Sequence, residues 1–227
     1  MFYWLLKHVL VGPFMRVIFR PWVTGLENIP REGPVILAGN HLSVIDSFFL
    51  PLMVERRVYF LAKSDYFTGR GLRGWLIRNF MLATGQLPID RGGGKASEAS
   101  LNTGLQVLGR GDVLGIYPEG TRSPDGRLYR GRTGIARMIV EAGVPVVPVV
   151  MVDTEKAMPI GSSLPKIRRI GTVIGEPLDF SRFSGLGDDR VVLRSITDEI
   201  MHALRALSGQ EYVDVYASTL RRPAAAR

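Results

Sequence analysis

From residue 22 onward, short apolar runs rich in β-branched residues alternate with stretches whose apolar positions recur every three or four residues. PVILAG (34–39), RVYFLA (57–62), DVLGIYP (112–118) and VPVVPVVMV (144–152) predict strands. Between them Leu101, Leu105 and Leu108 share a helical face, as do Ile135, Met138, Ile139 and Ala142, and Gly109 and Gly143 stand where those helices should stop. Leu193, Ile196, Ile200, Leu204 and Leu207 mark a closing helix. The alternation predicts a single α/β domain with a mixed, largely parallel sheet; continuously apolar strands fit a sheet covered by helices on both faces. The pattern places a membrane-interface helical segment at 1–21, the domain at 22–209 and a loose basic tail at 210–227.

The first segment, MFYWLLKHVLVGPFMRVIF, is apolar and aromatic, but Lys7, His8 and Arg16 interrupt it and Gly12-Pro13 break it. That leaves no clean span of about 20 apolar residues. It reads as short helices lying in the lipid interface, with Arg16 and Arg20 toward head groups. In RGLRGWLIRNFML (70–82), Trp75, Leu76, Phe80 and Met81 read as core, with guidance of an apolar ligand or contact with lipid as the alternative. The 227 residues carry 29 Lys and Arg against 21 Asp and Glu, a net charge of +8, so an anionic partner is expected. The basic residues are scattered and carry no nucleic-acid-binding signature, which favours membrane or phosphate over nucleic acid. The absence of cysteine excludes disulfides and thiolate chemistry.

The chemistry concentrates where predicted strands hand over to helices, the rim on which open α/β sheets bind ligands. His41 follows the first such strand, in NHLSVID. On one continuous helix a spacing of five would turn His41 and Asp46 about 140° apart. A helix that starts between them, with Ser43 as N-cap and Asp46 in its first turn, lets the two meet; Asp46 as a plain capping carboxylate is the alternative. YPEGTRS (117–123) follows another strand and offers Glu119, a flexible Gly120, the hydroxyl of Thr121 and the guanidinium of Arg122, a set suited to phosphate oxygens. GQLPIDRGGGK (85–95) adds Arg91 before three glycines but is not a Walker A loop. Arg132 and Thr133 fall at a helix start, where free N–H groups favour an anion.

Taken together these blocks resemble the glycerolipid acyltransferase family, most closely its lysophosphatidic acid acyltransferases. NHLSVID, GQLPIDR, YPEGTRS and VPVVPV match the family's four motifs in order over residues 36 to 150. Leu42, Tyr117 and Arg132-Thr133-Gly134 depart from the commoner forms without removing a reacting group. The resemblance implies His41 as general base, Asp46 as its orienting partner and Arg91 and Arg122 on the acceptor's phosphate. It implies further that Glu119, Gly120 and Thr121 shape the acceptor site, that Asn40, Ser43 and Arg132 complete the substrate-binding set, and that Val144 to Val149 are structural or line the acyl passage.

Direct attack of a glycerol hydroxyl on an acyl thioester follows, with N–H groups near Ser43 to stabilise the oxyanion. The donor would be acyl-CoA or acyl carrier protein, with no metal and no further cofactor. The acceptor would be lysophosphatidic acid, with glycerol-3-phosphate or another lysophospholipid as alternatives, and the place of action the cytoplasmic face of the cell membrane, as a peripheral or monotopic protein. A noncatalytic lipid-binding protein would need neither His41 nor Asp46, and a metal-dependent hydrolase would need more histidine near His41 than three residues spread along the chain provide.

Overall fold

The computed structural model describes residues 2–89 and 96–220. The chain opens with α1 (Phe2–Leu5), a π-helical turn (Leu6–Leu10) and α2 (Val11–Phe19), then enters the domain through β1 (Trp22–Thr24). There follow β2 (Val35–Gly39), α3 (Asp46–Met53), β3 (Val58–Lys63), α4 (Gly71–Ala83), β4 (Gln86–Ile89), α5 (Ala96–Gly109), β5 (Val113–Ile116) and β6 (Leu128–Tyr129). The chain closes with α6 (Gly134–Ala142), β7 (Val146–Val152), α7 (Thr154–Ala157), β8 (Gly171–Ile174), α8 (Arg190–Ser208), β9 (Tyr212–Val213) and α9 (Ala217–Leu220).

Seven strands form one sheet in the order β1-β8-β7-β2-β5-β3-β4, parallel throughout except for the antiparallel β7–β8 pair. This is the mixed, largely parallel α/β sheet that the alternation predicts. The period of two explains its two cores. Ile36 and Ala38 of β2 face one side with Leu108, Ile139 and Ile200, whereas Val35 and Leu37 face the other with Phe19, Phe49 and Met151. Every residue of β2 is buried. Val144 to Val149 sit in or beside buried β7, so they are structural.

Three elements differ from the pattern-based reading. The closing helix begins at Arg190, because Asp189 accepts hydrogen bonds from the N–H groups of Val191 and Val192 and so caps an added turn. Residues 210–220 do not trail off: β9 pairs in parallel with β6, and α9 follows. Their order comes from partners some 80 residues distant, which local periodicity cannot register; residues 221–227 lie outside the described residues. Finally, α4 buries only Gly74 and Met81, leaving Trp75 60% and Leu76 53% exposed, so of the four apolar residues read as its core only Met81 is one.

The N-terminal helices dock on α3 through cations as well as apolar contact. The buried ammonium of Lys7 donates to the carbonyls of Val54 and Glu55, and Arg16 donates to that of Leu52 at 3.2 Å. Positive charge thereby meets the negative end of the helix that starts at Asp46. Among the described residues no helix is long and apolar enough to cross a membrane.

Candidate active site

Because β2 and β5 are adjacent and parallel, the loops that leave their C-terminal ends emerge side by side. His41 and Tyr117 meet there with rings stacked at 3.9 Å and nearly parallel. His41 Nδ1 lies 2.8 Å from Asp46 Oδ2. The same oxygen accepts the N–H groups of Leu42 and Ser43, each at 2.8 Å. Asp46 is fully buried, so its carboxylate is fixed from three directions at the first residue of α3. With Nδ1 donating to Asp46, the lone pair of the imidazole stands on Nε2, which has no hydrogen-bond partner among the described residues.

The backbone of His41 is held just as firmly. Its N–H donates to Glu119 Oε2 at 3.3 Å and its carbonyl accepts from the N–H of Ser123 at 2.7 Å. Glu119 Oε1 accepts from Tyr129 N at 2.7 Å, so one buried carboxylate ties the His41 loop to β6. The Glu119 carboxyl is held up at about 7, raised chiefly by burial, lowered in part by the two N–H donors and raised again by the charges of Asp46 and Asp125. Burial likewise raises the Tyr117 phenol well above its ordinary range, with Asp46 adding to the effect. The phenol stays neutral and shares a 2.9 Å hydrogen bond with Ser47.

Several residues expected to touch substrate have side chains engaged within the scaffold. The Asn40 amide is buried and engaged on both ends: Oδ1 accepts from Met151 N at 2.7 Å, and Nδ2 donates to Met151 O at 3.2 Å and Gln210 Oε1 at 2.9 Å. Ser43 is not the N-cap, since its hydroxyl donates to the Met158 carbonyl at 2.6 Å and Ile45 occupies the cap position. The N–H groups of Leu42 and Ser43 serve Asp46 and are not available to an oxyanion. Glu119 turns inward, both of its carboxylate oxygens accepting from backbone N–H groups. Asp46 does lie in the first turn, as expected, and its carboxylate reaches back to the Ser43 N–H as in a capping box.

The cationic side of the rim is less constrained. Arg122 is half-buried and makes no ion pair or hydrogen bond with a described residue, and Thr121 beside it is half-buried too. Gly120 adopts φ +71°, and a Cβ there would lie 3.0 Å from the Arg132 side chain, so glycine suits both the left-handed turn and the close approach of Arg132. Arg132 is exposed, donates to Ser218 Oγ at 2.9 Å and lies 5.2 Å from the Tyr216 ring, which Arg130 flanks at 5.6 Å. Arg91 lies outside the described residues. Sequence reasoning missed Ser47, Gln210, Tyr216 and Ser218. Only Ser47, next to Asp46, carried a positional hint; the other three reach the site through the pairing of 210–220 with β6.

An apolar cavity of about 240 Å³ runs between the N-terminal helices, α3 and the end of α4. Leu6, Met15, Ile45, Phe48 and Phe80 line it, and Ser47 brings it next to Tyr117 and so to His41.

Comparison with known proteins bears on family and fold. The acyltransferase family profile matches residues 20–152, more than half of the chain. A chloroplastic 1-acyl-sn-glycerol-3-phosphate acyltransferase of Arabidopsis thaliana is 33% identical over 68% of this chain and 41% of its own, and one of Brassica napus is 33% identical over 62% and 39%. The chain thus spans about two-fifths of the length of these plant relatives. A 1-acyl-sn-glycerol-3-phosphate acyltransferase of Bacillus subtilis is 27% identical over 81% of this chain and 86% of its own. The crystal structure of the 1-acyl-sn-glycerophosphate acyltransferase of Thermotoga maritima shares the fold, with a TM-score of 0.65 and 24% identity over 88% of this chain and 79% of that one. By its sequence blocks and by the profile that spans them, this chain belongs to the acyltransferase family.

Proposed function

We propose that the protein is a membrane-associated 1-acylglycerol-3-phosphate O-acyltransferase that moves a fatty acyl group from an acyl thioester to the free hydroxyl of lysophosphatidic acid. The observation that carries the reading is the 2.8 Å His41–Asp46 pair, buried on the Asp46 side and open at Nε2. Nε2 takes the proton of the acceptor hydroxyl as its oxygen attacks the thioester carbonyl. A C–O bond forms, the C–S bond breaks, and the imidazolium returns the proton to the departing thiolate. Asp46 fixes the tautomer and stabilises the imidazolium between these steps.

The lysophosphatidic acid acceptor is supported by what the plant and bacterial relatives are named for and by Arg122, an arginine without a carboxylate partner among the described residues. Arg122 offers its fork to the phosphate, and Arg132 stands ready beside Gly120. The acyl chain would lie in the apolar cavity behind Ser47, open to lipid through the N-terminal helices. Docking of those helices at the cytoplasmic leaflet, where acyl-CoA or acyl carrier protein is supplied, would bring both lipids to one rim.

The test is purified protein with a panel of acyl thioesters and either lysophosphatidate, glycerol-3-phosphate or a lysophospholipid without a terminal phosphate, following thiol release. Lysophosphatidate should give the highest kcat/KM. Arg122→Ala should then raise the KM for lysophosphatidate roughly 10- to 100-fold, the worth of a charge-assisted hydrogen bond, with donor KM little changed. Equal turnover of the acceptor without a terminal phosphate, or an unmoved acceptor KM in Arg122→Ala, would overturn the phosphate assignment.

A further inference from the structure

Charge is distributed unevenly along this chain. Residues 1–26, 66–89 and 156–175 together hold ten of the 29 Lys and Arg and not one of the 21 Asp and Glu. The same 70 residues hold 17 of the 21 large apolar side chains that stand exposed among the described residues. Far apart in sequence, the three segments are neighbours in space. The apolar cavity joins Leu6 and Met15 of the N-terminal helices to Phe80 and Ala83 of α4. A second groove, of about 260 Å³, joins Val17 and Arg20 at the end of α2 to Ile167, Arg168 and Arg169. The N-terminal helices are therefore flanked by α4 on one side and by the loop before β8 on the other.

α4 is the most telling of the three. A helix apolar around its whole circumference needs cover on every side, yet this one buries only Gly74 and Met81 in protein. Leu72 is 74% and Trp75 60% exposed, and Leu164 and Ile167 of the flanking loop are 78% and 74% exposed. Arg70, Arg73 and Arg78 on or beside α4, and Lys166, Arg168 and Arg169 on the loop, intersperse these positions with cations. An apolar surface set with arginine and lysine, built from segments that carry no carboxylate of their own, fits an anionic phospholipid leaflet: the apolar side chains enter the acyl boundary while the long basic ones reach back to phosphates.

We propose that α4 and the 160–169 loop form, with the N-terminal helices, one three-part docking face for an anionic leaflet, so that the protein sits on lipid by all three segments and not by its N-terminal helices alone. This rests on the reading that the substrates are drawn from a membrane, and it adds both elements and a lipid charge preference.

The absence of cysteine makes the test direct, because Phe14→Cys, Leu76→Cys or Ile167→Cys in the full chain accepts a single spin label. With vesicles of phosphatidylcholine containing phosphatidylglycerol, all three labels should be shielded from an aqueous relaxant and reached by an apolar one. Arg73→Ala with Arg78→Ala should weaken vesicle binding roughly 20-fold, as two arginines near an anionic surface imply, and leave turnover of detergent-dispersed lysophosphatidate unchanged. Immersion of label 14 with labels 76 and 167 in water would overturn the three-part face and leave N-terminal docking standing. Absence of vesicle binding altogether would overturn both. Shielding of label 76 that depends on protein concentration and not on lipid would identify a second copy of the chain as the occupant and overturn the proposal. Equal affinity for vesicles of phosphatidylcholine alone would overturn its charge preference.

Discussion

Replacing His41 by alanine is expected to lower kcat at least ~10²-fold while the protein still folds, because the loss falls on general-base catalysis and not on packing. The side chain is 17% exposed, and its main structural ties, to Glu119 and Ser123, run through its backbone and survive the change. Asp46→Asn separates the two roles of the carboxylate. An amide oxygen can still accept from the Leu42 and Ser43 N–H groups, but an amide placed to receive the Nδ1 proton no longer stabilises an imidazolium, so kcat should fall while the melting temperature moves only a few degrees. Asp46→Ala, by contrast, strands two buried N–H donors at about 1–3 kcal/mol each, and both activity and stability should suffer. Steady-state kinetics with lysophosphatidate and thermal melts of the three variants provide the check. A His41→Ala protein that turns over at the wild-type rate would place the base elsewhere and remove the basis of the proposed reaction.

The sequence made the four central strands β7, β2, β5 and β3 legible because they read as unbroken apolar runs, whereas β1, β8 and β4, short and toward the edges of the sheet, carried no such run. The His41–Asp46 contact was legible for a different reason: five residues cannot share a helical face, so a strand, a loop and a helix start had to lie between Gly39 and Phe48 if the pair was to form. Partnerships chosen at long range stayed hidden. Asn40 and Ser43 have the residue types of ligand contacts, but the sequence does not disclose that Met151, Met158 and Gln210 come near enough to engage them. The order of 210–220 depends on main-chain pairing with Leu128 and Tyr129 and on Tyr216 lying between two arginines, neither of which leaves a periodic trace. The exposure of α4 was misread for a related reason, since an apolar helix written in sequence looks the same whether protein or lipid covers it.

Glu119 is where the fold and the proposed chemistry make opposite demands. Ionised, its carboxylate accepts from both His41 N and Tyr129 N; buried, it holds its proton up to about 7 against 4.5 for the free group. Between these values the folded chain binds a proton that the unfolded chain has released, so this group's contribution to stability declines as pH rises through that window, by roughly 3 kcal/mol. Glu119→Gln removes the titration. The melting temperature of the wild type, taken relative to that of the variant, should therefore fall by on the order of 5–10 °C from about pH 4.5 to about pH 7 and stay level above it. Activity should move the other way. A glutamine turns its NH₂ group toward one of the two N–H donors, and the weaker bond, 3.3 Å to His41 against 2.7 Å to Tyr129, is the one that yields. The His41 loop then shifts, and kcat at pH 8 should drop at least ~10-fold with the KM for lysophosphatidate little changed, since a displaced base hurts the transition state and not acceptor binding. Melting curves of the two proteins that run parallel from pH 4 to pH 8 would show that Glu119 does not titrate in this range. An unchanged kcat would show that the carboxylate's hold on His41 does not matter to the reaction.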